Sequence, residues 1–322
     1  MKAIVVNRKG GPEVLEYSDL ASPAPKASEV SVRVAAAGVN FIDVYLREGR
    51  YPATCPFVLG QEGSGIVEEV GEGVEDFKSG DRVAWAGVPG AYAELACVPA
   101  NKLVSVPANL PLENACAVLL QGMTAHYLAY DTYPLKGGES ILIHAGAGGV
   151  GLLLTQIAKN LGATVIATVS TDEKARLSYE AGADNVILYN HLDWVPRVRA
   201  LAQLNGLPVV YDSVGQATFE VSLECLRPRG MLVLFGASSG AVPPFDLIRL
   251  STLGSLYLTR PTLKDYIDSP VELSSKSATV FGDLVTGALK LPAVGQYPLR
   301  NAAQAHVELE GRRTTGKLLL MP

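Results

Sequence analysis

The stretch from Glu139 to Leu161 holds the residues whose types and spacing point most directly to chemistry. Ala145-Gly-Ala-Gly-Gly-Val-Gly151 sets glycines at 146, 148 and 151, a G-x-G-x-x-G run. Before it, Ser140-Ile-Leu-Ile-His144 predicts a short buried strand. After it, apolar residues at helical spacing predict a helix over Leu152–Leu161. A strand-to-helix turn of this composition is the fingerprint of a dinucleotide site. Gly146 allows the tight turn, Gly148 lets backbone N–H groups approach a diphosphate, and Gly151 lets helix and strand pack closely. The diphosphate then lies at the positive end of the helix. Gly146, Gly148, Gly149, Val150 and Gly151 are therefore the first candidate cofactor-binding residues.

The second strand of such a unit sets the choice of nucleotide. An NAD site carries a carboxylate about twenty residues past the glycines to hold the ribose 2′-hydroxyl. Here Ala163-Thr-Val-Ile-Ala-Thr-Val169 ends in Ser170, and Lys174 follows one helical turn later. A hydroxyl and an ammonium attract a 2′-phosphate that a carboxylate would repel, so the expected cofactor is NADPH. One charge-assisted contact is worth about 1.5–3 kcal/mol, roughly ten- to a hundredfold in affinity. Asp172 and Glu173 fall at helix N-terminal positions, where capping accounts for them.

These residues need a scaffold, and from residue 139 the chain supplies one. Strand-like runs at about 140–145, 163–169, 184–188, 207–212 and 230–235 alternate with helical stretches near 149–161, 172–181, 191–204 and 216–226. That alternation predicts βαβ units, right-handed crossovers and a doubly wound parallel sheet. Leu253–Thr259 is a candidate sixth strand, and Leu263–Leu289 returns to helical spacing. Residues 1 to about 110 read instead as mostly β, with turn signals such as Gly10-Gly-Pro12 and Lys78-Ser-Gly-Asp81. Leu112–Tyr130 predicts one or two helices, Pro134-Leu-Lys-Gly-Gly138 a break, and Thr315–Met321 a closing strand.

Bulk properties narrow the function further. With 322 residues the chain is long enough for two domains. The formal charge of −5 leaves no basic excess to meet a nucleic-acid backbone. Cys55, Cys97, Cys116 and Cys225 are widely spaced, so a reducing cytoplasm is expected rather than a disulfide framework. Met1-Lys-Ala-Ile-Val enters a strand directly, which predicts no signal peptide. Without a run of about eighteen apolar residues, no membrane span is expected.

Six segments occur in order: Gly10-Gly-Pro-Glu-Val-Leu15, Gly38-Val-Asn-Phe-Ile-Asp43, Gly80-Asp-Arg-Val83, His144–Gly151, Val210-Tyr-Asp-Ser-Val-Gly215 and Thr259-Arg-Pro261. With them the chain resembles, over essentially its whole length, the NADPH:quinone oxidoreductase (zeta-crystallin-like) branch of the zinc-independent medium-chain dehydrogenase/reductase superfamily. The resemblance implies an α/β protein: a GroES-like β-rich catalytic domain over 1–124 and 262–322, with a Rossmann NADPH-binding domain inserted over 125–261. It also implies a homodimer. By motif position it places Asn40, Asp43 and Tyr45 near the nicotinamide and substrate as catalytic residues. It assigns Thr124, Tyr189, Phe235, Gly236, Ser238, Arg260 and Lys317 to the cofactor, beside the glycine turn, Ser170 and Lys174. Gln121 stands where some relatives carry lysine.

The same residues have plainer readings. On a helix starting near Asn40, positions 40, 43 and 47 share a face. Asn40 suits an N-cap, and Asp43 suits an ion pair with Arg47 at i+4, worth a few tenths of a kcal/mol. Tyr45 and Tyr51 suit half-buried packing, Lys174 suits a solvated surface, and His126, His144, His191 and His306 suit packing or surface positions.

Zinc-dependent relatives carry a Gly-His-Glu segment where this chain has Gly60-Gln61-Glu62. An amide is a poor zinc ligand, and closely spaced structural cysteines are missing, so no metal is expected. Without a strong Lewis acid the expected acceptor is one needing little activation, a quinone. A quinone needs hydride and then a proton, which water or Tyr45 supplies, so positioning provides most of the rate. Two other readings stay open. One is an enone or enoyl-thioester reductase; the other is a non-enzymatic NADPH-binding protein, crystallin-like or RNA-binding.

Overall fold

The computed structural model describes residues 1–189, 194–202 and 206–322, so His191 and both ends of the helix expected over 191–204 lie outside the described residues. The chain divides into two compact units. Met1–Met123 with Tyr266–Pro322 form one, and Thr124–Asp265 form the other.

The second unit is built on six parallel strands, β1 (Ser140–His144), β2 (Thr164–Val169), β3 (Asn185–Leu188), β4 (Leu207–Asp212), β5 (Leu226–Leu234) and β6 (Tyr257–Thr259). They lie in the order β3-β2-β1-β4-β5-β6, the doubly wound arrangement of the Rossmann fold. The reversal of order falls between β1 and β4, beside the glycine turn. Leu142, Ile166, Val210, Leu232 and Leu234 fill the core, as strands covered on both faces require.

Helices Gly149–Asn160 and Asp172–Glu180 follow β1 and β2, and the third helix is Trp194–Leu201. The fourth is shorter than the spacing predicts, Phe219–Glu224, and follows a turn over residues 213–215 that Asp212 holds. Its Oδ1 accepts the backbone N–H groups of Val214 at 2.8 Å and Gly215 at 3.0 Å.

In the first unit a seven-stranded sheet runs Val294–Pro298, Lys317–Met321, Glu29–Val39, Glu62–Val70, Arg82–Ala86, Leu103–Ser105, with Leu95–Pro99 also on Glu29–Val39. Strand Lys317–Met321 pairs antiparallel with the end of Glu29–Val39, Leu318 opposite Val39 and Leu319 opposite Gly38. That pairing joins the two stretches of chain composing this unit. Trp85, Tyr92, Val32 and Leu320 are among its buried core residues. A three-stranded sheet, Leu15–Asp19, Lys2–Val6 and Phe57–Val58, completes the β-rich part. The helical stretch expected over 263–289 is two helices, Leu263–Tyr266 and Pro270–Thr286. Pro270 starts the second at the position proline favours, and Ser269 caps it by accepting the Glu272 N–H at 3.2 Å. Among the described residues no helix is long and apolar enough to cross a membrane.

Candidate active site

Five of the six parallel strands of the second unit, all but β4, are followed at the carboxyl edge, within two residues, by a residue assigned to a nucleotide. In such sheets that edge is where ligands bind. The glycine turn follows β1, and helix Gly149–Asn160 begins with Gly148 as its cap residue. Gly148 has no side chain with which to satisfy the first-turn N–H groups, leaving them to an anion from outside the helix.

The three glycines differ in what surrounds them. A Cβ on Gly146 would meet the Ala167 Cβ at 2.7 Å, and one on Gly151 would meet the Ala145 carbonyl oxygen at 2.5 Å. These two are therefore packing glycines. A Cβ on Gly148 would meet only the Ala145 oxygen, at 3.2 Å. Its outer side is open, the cradle that an approaching diphosphate needs. The residues present thus fit NADPH.

Ser170 follows β2 and is exposed; Lys174 is partly buried in the first turn of helix Asp172–Glu180. The cap of that helix is Thr171, whose hydroxyl accepts the Lys174 N–H at 3.3 Å, so Asp172 and Glu173 occupy the first turn rather than the cap itself. Tyr189 follows β3, and its hydroxyl accepts the backbone N–H of Ala145 at 2.9 Å. Phe235 and Gly236 follow β5, with both N–H groups directed to the Asp212 carbonyl. The Ser238 N–H donates to the Ser213 carbonyl at 3.2 Å. Arg260 follows β6 and is exposed, whereas Thr124 is buried.

In the first unit the polar cluster around Asn40 is organised mainly inward. Helix Phe41–Glu48 is capped by Asn40, but through the other residue of the pair: Asp43 Oδ2 accepts the Asn40 backbone N–H at 2.8 Å. The Asn40 amide donates to Glu62 Oε2 at 2.9 Å and to the Gly38 carbonyl at 3.3 Å, and its oxygen accepts from Lys317 Nζ at 2.8 Å. Lys317 Nζ also lies 2.5 Å from Glu62 Oε2, while Glu62 Oε1 accepts the Leu120 N–H at 2.7 Å.

Two of the assigned residues are held by internal partners. The Lys317 side chain is buried against Glu62 and Asn40, where its ammonium is an internal counter-charge. Asp43 is fully buried and serves as the capping carboxylate, with Tyr92 donating to its Oδ2 at 3.1 Å. Burial pushes the Asp43 carboxyl up to about 7, against the lowering effect of the Asn40 N–H, Tyr92 and Lys317.

The expected Asp43–Arg47 pair is not made. Arg47 turns away, giving Glu310 two bonds of 2.6 and 3.0 Å and the His306 ring a third of 3.0 Å. His306 Nε2 lies 3.2 Å from the Tyr92 hydroxyl. Burial, and then the Arg47 charge, push His306 down to about 3, so it stays neutral. Tyr45 is buried, its ring edge-on to Tyr51 at 5.6 Å and beneath the Arg50 guanidinium.

Sequence reasoning gave His144 a packing or surface position and gave Thr168, Asp212 and Ser222 no role; all four are fully buried in the second unit and linked by hydrogen bonds. The available signal was a histidine at the end of an otherwise apolar strand. Gln61 and Glu62 lie where zinc-dependent relatives carry His and Glu, and Glu62 is held by Lys317. Among the described residues no three His, Cys, Asp or Glu side chains converge as metal ligands.

Residues 26–108 match the family described as alcohol dehydrogenase GroES-like domain, and 149–269 the family described as zinc-binding dehydrogenase. The chain is 50% identical to a quinone oxidoreductase of Pseudomonas aeruginosa over 97% of each chain. It is 40% identical to a 2-haloacrylate reductase of a Burkholderia species over 99% of this chain and 98% of that one. The Escherichia coli quinone oxidoreductase complexed with NADPH superimposes with a TM-score of 0.98 at 44% identity, covering 100% of both chains.

Proposed function

The chain belongs to the quinone oxidoreductase family of medium-chain dehydrogenases/reductases, and we propose that it reduces a quinone with NADPH and without a metal ion. The open cradle at Gly148, set at the switch point of the sheet, is the observation that carries the reading. When bound, NADPH supplies the hydride. The chain supplies the rest. Backbone N–H groups of Gly149, Val150 and Gly151, at a helix N-terminus, hold the diphosphate, and Ser170 and Lys174 favour the 2′-phosphate. Thr124, Tyr189, Phe235, Gly236, Ser238 and Arg260 complete the nucleotide site in this proposal.

On the substrate side we propose Asn40 and Tyr45. Asn40 is a positioning residue, because its amide is already bonded to Gly38, Glu62 and Lys317. Tyr45 or water delivers the proton that completes reduction to the hydroquinone. Gln61 offers an amide where a metal site needs imidazole, and Lys317 already neutralises Glu62, which supports the metal-free route.

A 40% identical 2-haloacrylate reductase favours a second acceptor class, a conjugated carbon–carbon double bond. Loss of NADPH absorbance with benzo- and naphthoquinones, compared with alkenals and acrylates, tests both. Turnover with quinones is expected; binding of NADPH without turnover on any acceptor overturns the enzymatic reading.

The edge strand β6 carries Tyr257, 58% exposed, and the preceding segment carries Leu247 and Ile248, 70% and 60% exposed. An open strand edge and exposed apolar side chains support the proposal that two copies associate there. Four free cysteines support a cytoplasmic location.

A further inference from the structure

A single run of side-chain hydrogen bonds, buried except at Tyr189, crosses the carboxyl ends of four neighbouring strands, β3, β2, β1 and β4. The Ala145 N–H donates to the Tyr189 hydroxyl at 2.9 Å, and that hydroxyl lies 3.4 Å from His144 Nδ1. Thr168 Oγ1 approaches the same nitrogen at 2.7 Å. On its far side His144 Nε2 lies 3.0 Å from Ser222 Oγ, which reaches Asp212 Oδ2 at 2.9 Å. Asp212 Oδ1 then takes the N–H groups of Val214 and Gly215.

The run begins and ends on backbone. At one end is the first residue of the glycine turn, Ala145, held at φ +53°, a conformation disfavoured for a residue with a side chain. At the other end is the turn after β4, which is bonded in its turn to the segment after β5 through Ser213 and Ser238.

The direction of each bond follows from its terminus. The carboxylate of Asp212 only accepts, so the Ser222 hydroxyl donates to it and the serine oxygen accepts from His144 Nε2–H. The single lone pair of His144 Nδ1 then accepts from the Thr168 hydroxyl at 2.7 Å, with the Tyr189 hydroxyl a longer contact at 3.4 Å. One neutral tautomer accounts for these contacts, and burial favours the neutral ring.

We infer that His144 is a positioning residue for the cofactor: through Tyr189 it fixes the Ala145 peptide, and through Ser222 and Asp212 it ties the diphosphate turn to the turn after β4. It touches no cofactor in this role. Such a chain of side-chain bonds restricts the turn, so its N–H groups are aimed before the nucleotide arrives. The inference rests on the proposed NADPH site.

The test measures dissociation constants of two ligands, NADPH and adenosine 2′-phosphate, which lacks the diphosphate. Ser222→Ala and His144→Leu are each expected to weaken NADPH about tenfold while leaving adenosine 2′-phosphate within about twofold. His144→Gln, whose amide nitrogen restores the donor toward Ser222, is expected to recover most of the loss. Nitrogen NMR of the wild-type ring is expected to show the proton on Nε2. Equal weakening of both ligands, no weakening of either, or a proton on Nδ1 overturns the inference. A wild-type protein that binds no NADPH overturns the proposed function itself, and the inference with it.

Discussion

The ammonium of Lys317 stands 2.5 Å from Glu62 Oε2, and neither side chain has surface open to solvent. Removing one partner of such a pair strands the other charge in the interior, at a cost of about 3–5 kcal/mol. Lys317→Met is therefore expected to lower the free energy of unfolding in urea by that amount. The double variant Lys317→Met/Glu62→Gln should recover part of it. A single variant as stable as the parent would show the pair to be without weight. Gly38→Ala is expected to act in the same direction, because its methyl would enter the space between the Glu62 carboxylate and the Lys317 ammonium.

Gly148 offers a cleaner separation of stability from binding. Among the described residues, the one atom within 4 Å of an added Cβ is the Ala145 oxygen at 3.2 Å, a tight contact that a shift of a few tenths of an ångström relieves. Gly148→Val is expected to lower folding stability by no more than about 1 kcal/mol. The same side chain fills the cradle, so the NADPH dissociation constant should rise at least about tenfold. Unchanged affinity in a calorimetric titration would remove the diphosphate from this turn.

Lys174 tests the choice between nucleotides. Lys174→Ala is expected to raise KM for NADPH about ten- to a hundredfold, the weight of one charge-assisted contact, and to leave KM for NADH nearly unchanged. Equal effects on both cofactors would reject a 2′-phosphate contact.

Asp43 and His306 act against each other as pH changes. The folded carboxyl of Asp43 titrates near 7 and the unfolded one near 3.8, so between these values the folded state binds more protons. Its contribution is full below 3.8 and is lost as pH rises through 7. His306 titrates near 3 folded and 6.5 unfolded, so its contribution is full above 6.5 and is lost as pH falls toward 3. From about pH 4 to 6.5 the two slopes, each up to about 1.4 kcal/mol per pH unit, cancel. Asp43→Asn removes one of them. Its stability is expected to fall more steeply than the parent's on acidification from pH 6.5 to 4, by up to that slope, in chemical denaturation at several pH values. Parallel profiles would refute the opposition.

Association through the β6 edge is tested at Tyr257. A lysine in its place puts a charge on an exposed strand edge, a device that blocks edge pairing. Tyr257→Lys is expected to halve the mass measured by light scattering while each subunit still binds NADPH. A parent that is already monomeric at micromolar concentration would end the proposal.

Local signals made the second unit legible in the sequence. The spacing of Gly146, Gly148 and Gly151, and the alternation of short apolar runs with helical ones, depend on residues close together in the chain. They placed the strands of the sheet within a few residues. What stayed hidden depends on distance along the chain. Lys317 and Asn40 are 277 residues apart, Arg47 and Glu310 are 263, and His144 and Ser222 are 78. Periodicity carries no information about such partners. For Arg47 it even suggested the wrong one, because Asp43 at helical spacing competed with a glutamate visible only in the folded chain.

Strand Lys317–Met321 lies between Val294–Pro298 and Glu29–Val39, and it covers residues 37–39 of an edge whose other end, residues 29–33, is paired with Leu95–Pro99. During synthesis that short edge therefore stays open while Thr124–Asp265, contiguous in sequence, is already complete. The nucleotide-binding half is expected to mature first, and the sheet of the β-rich half to close last.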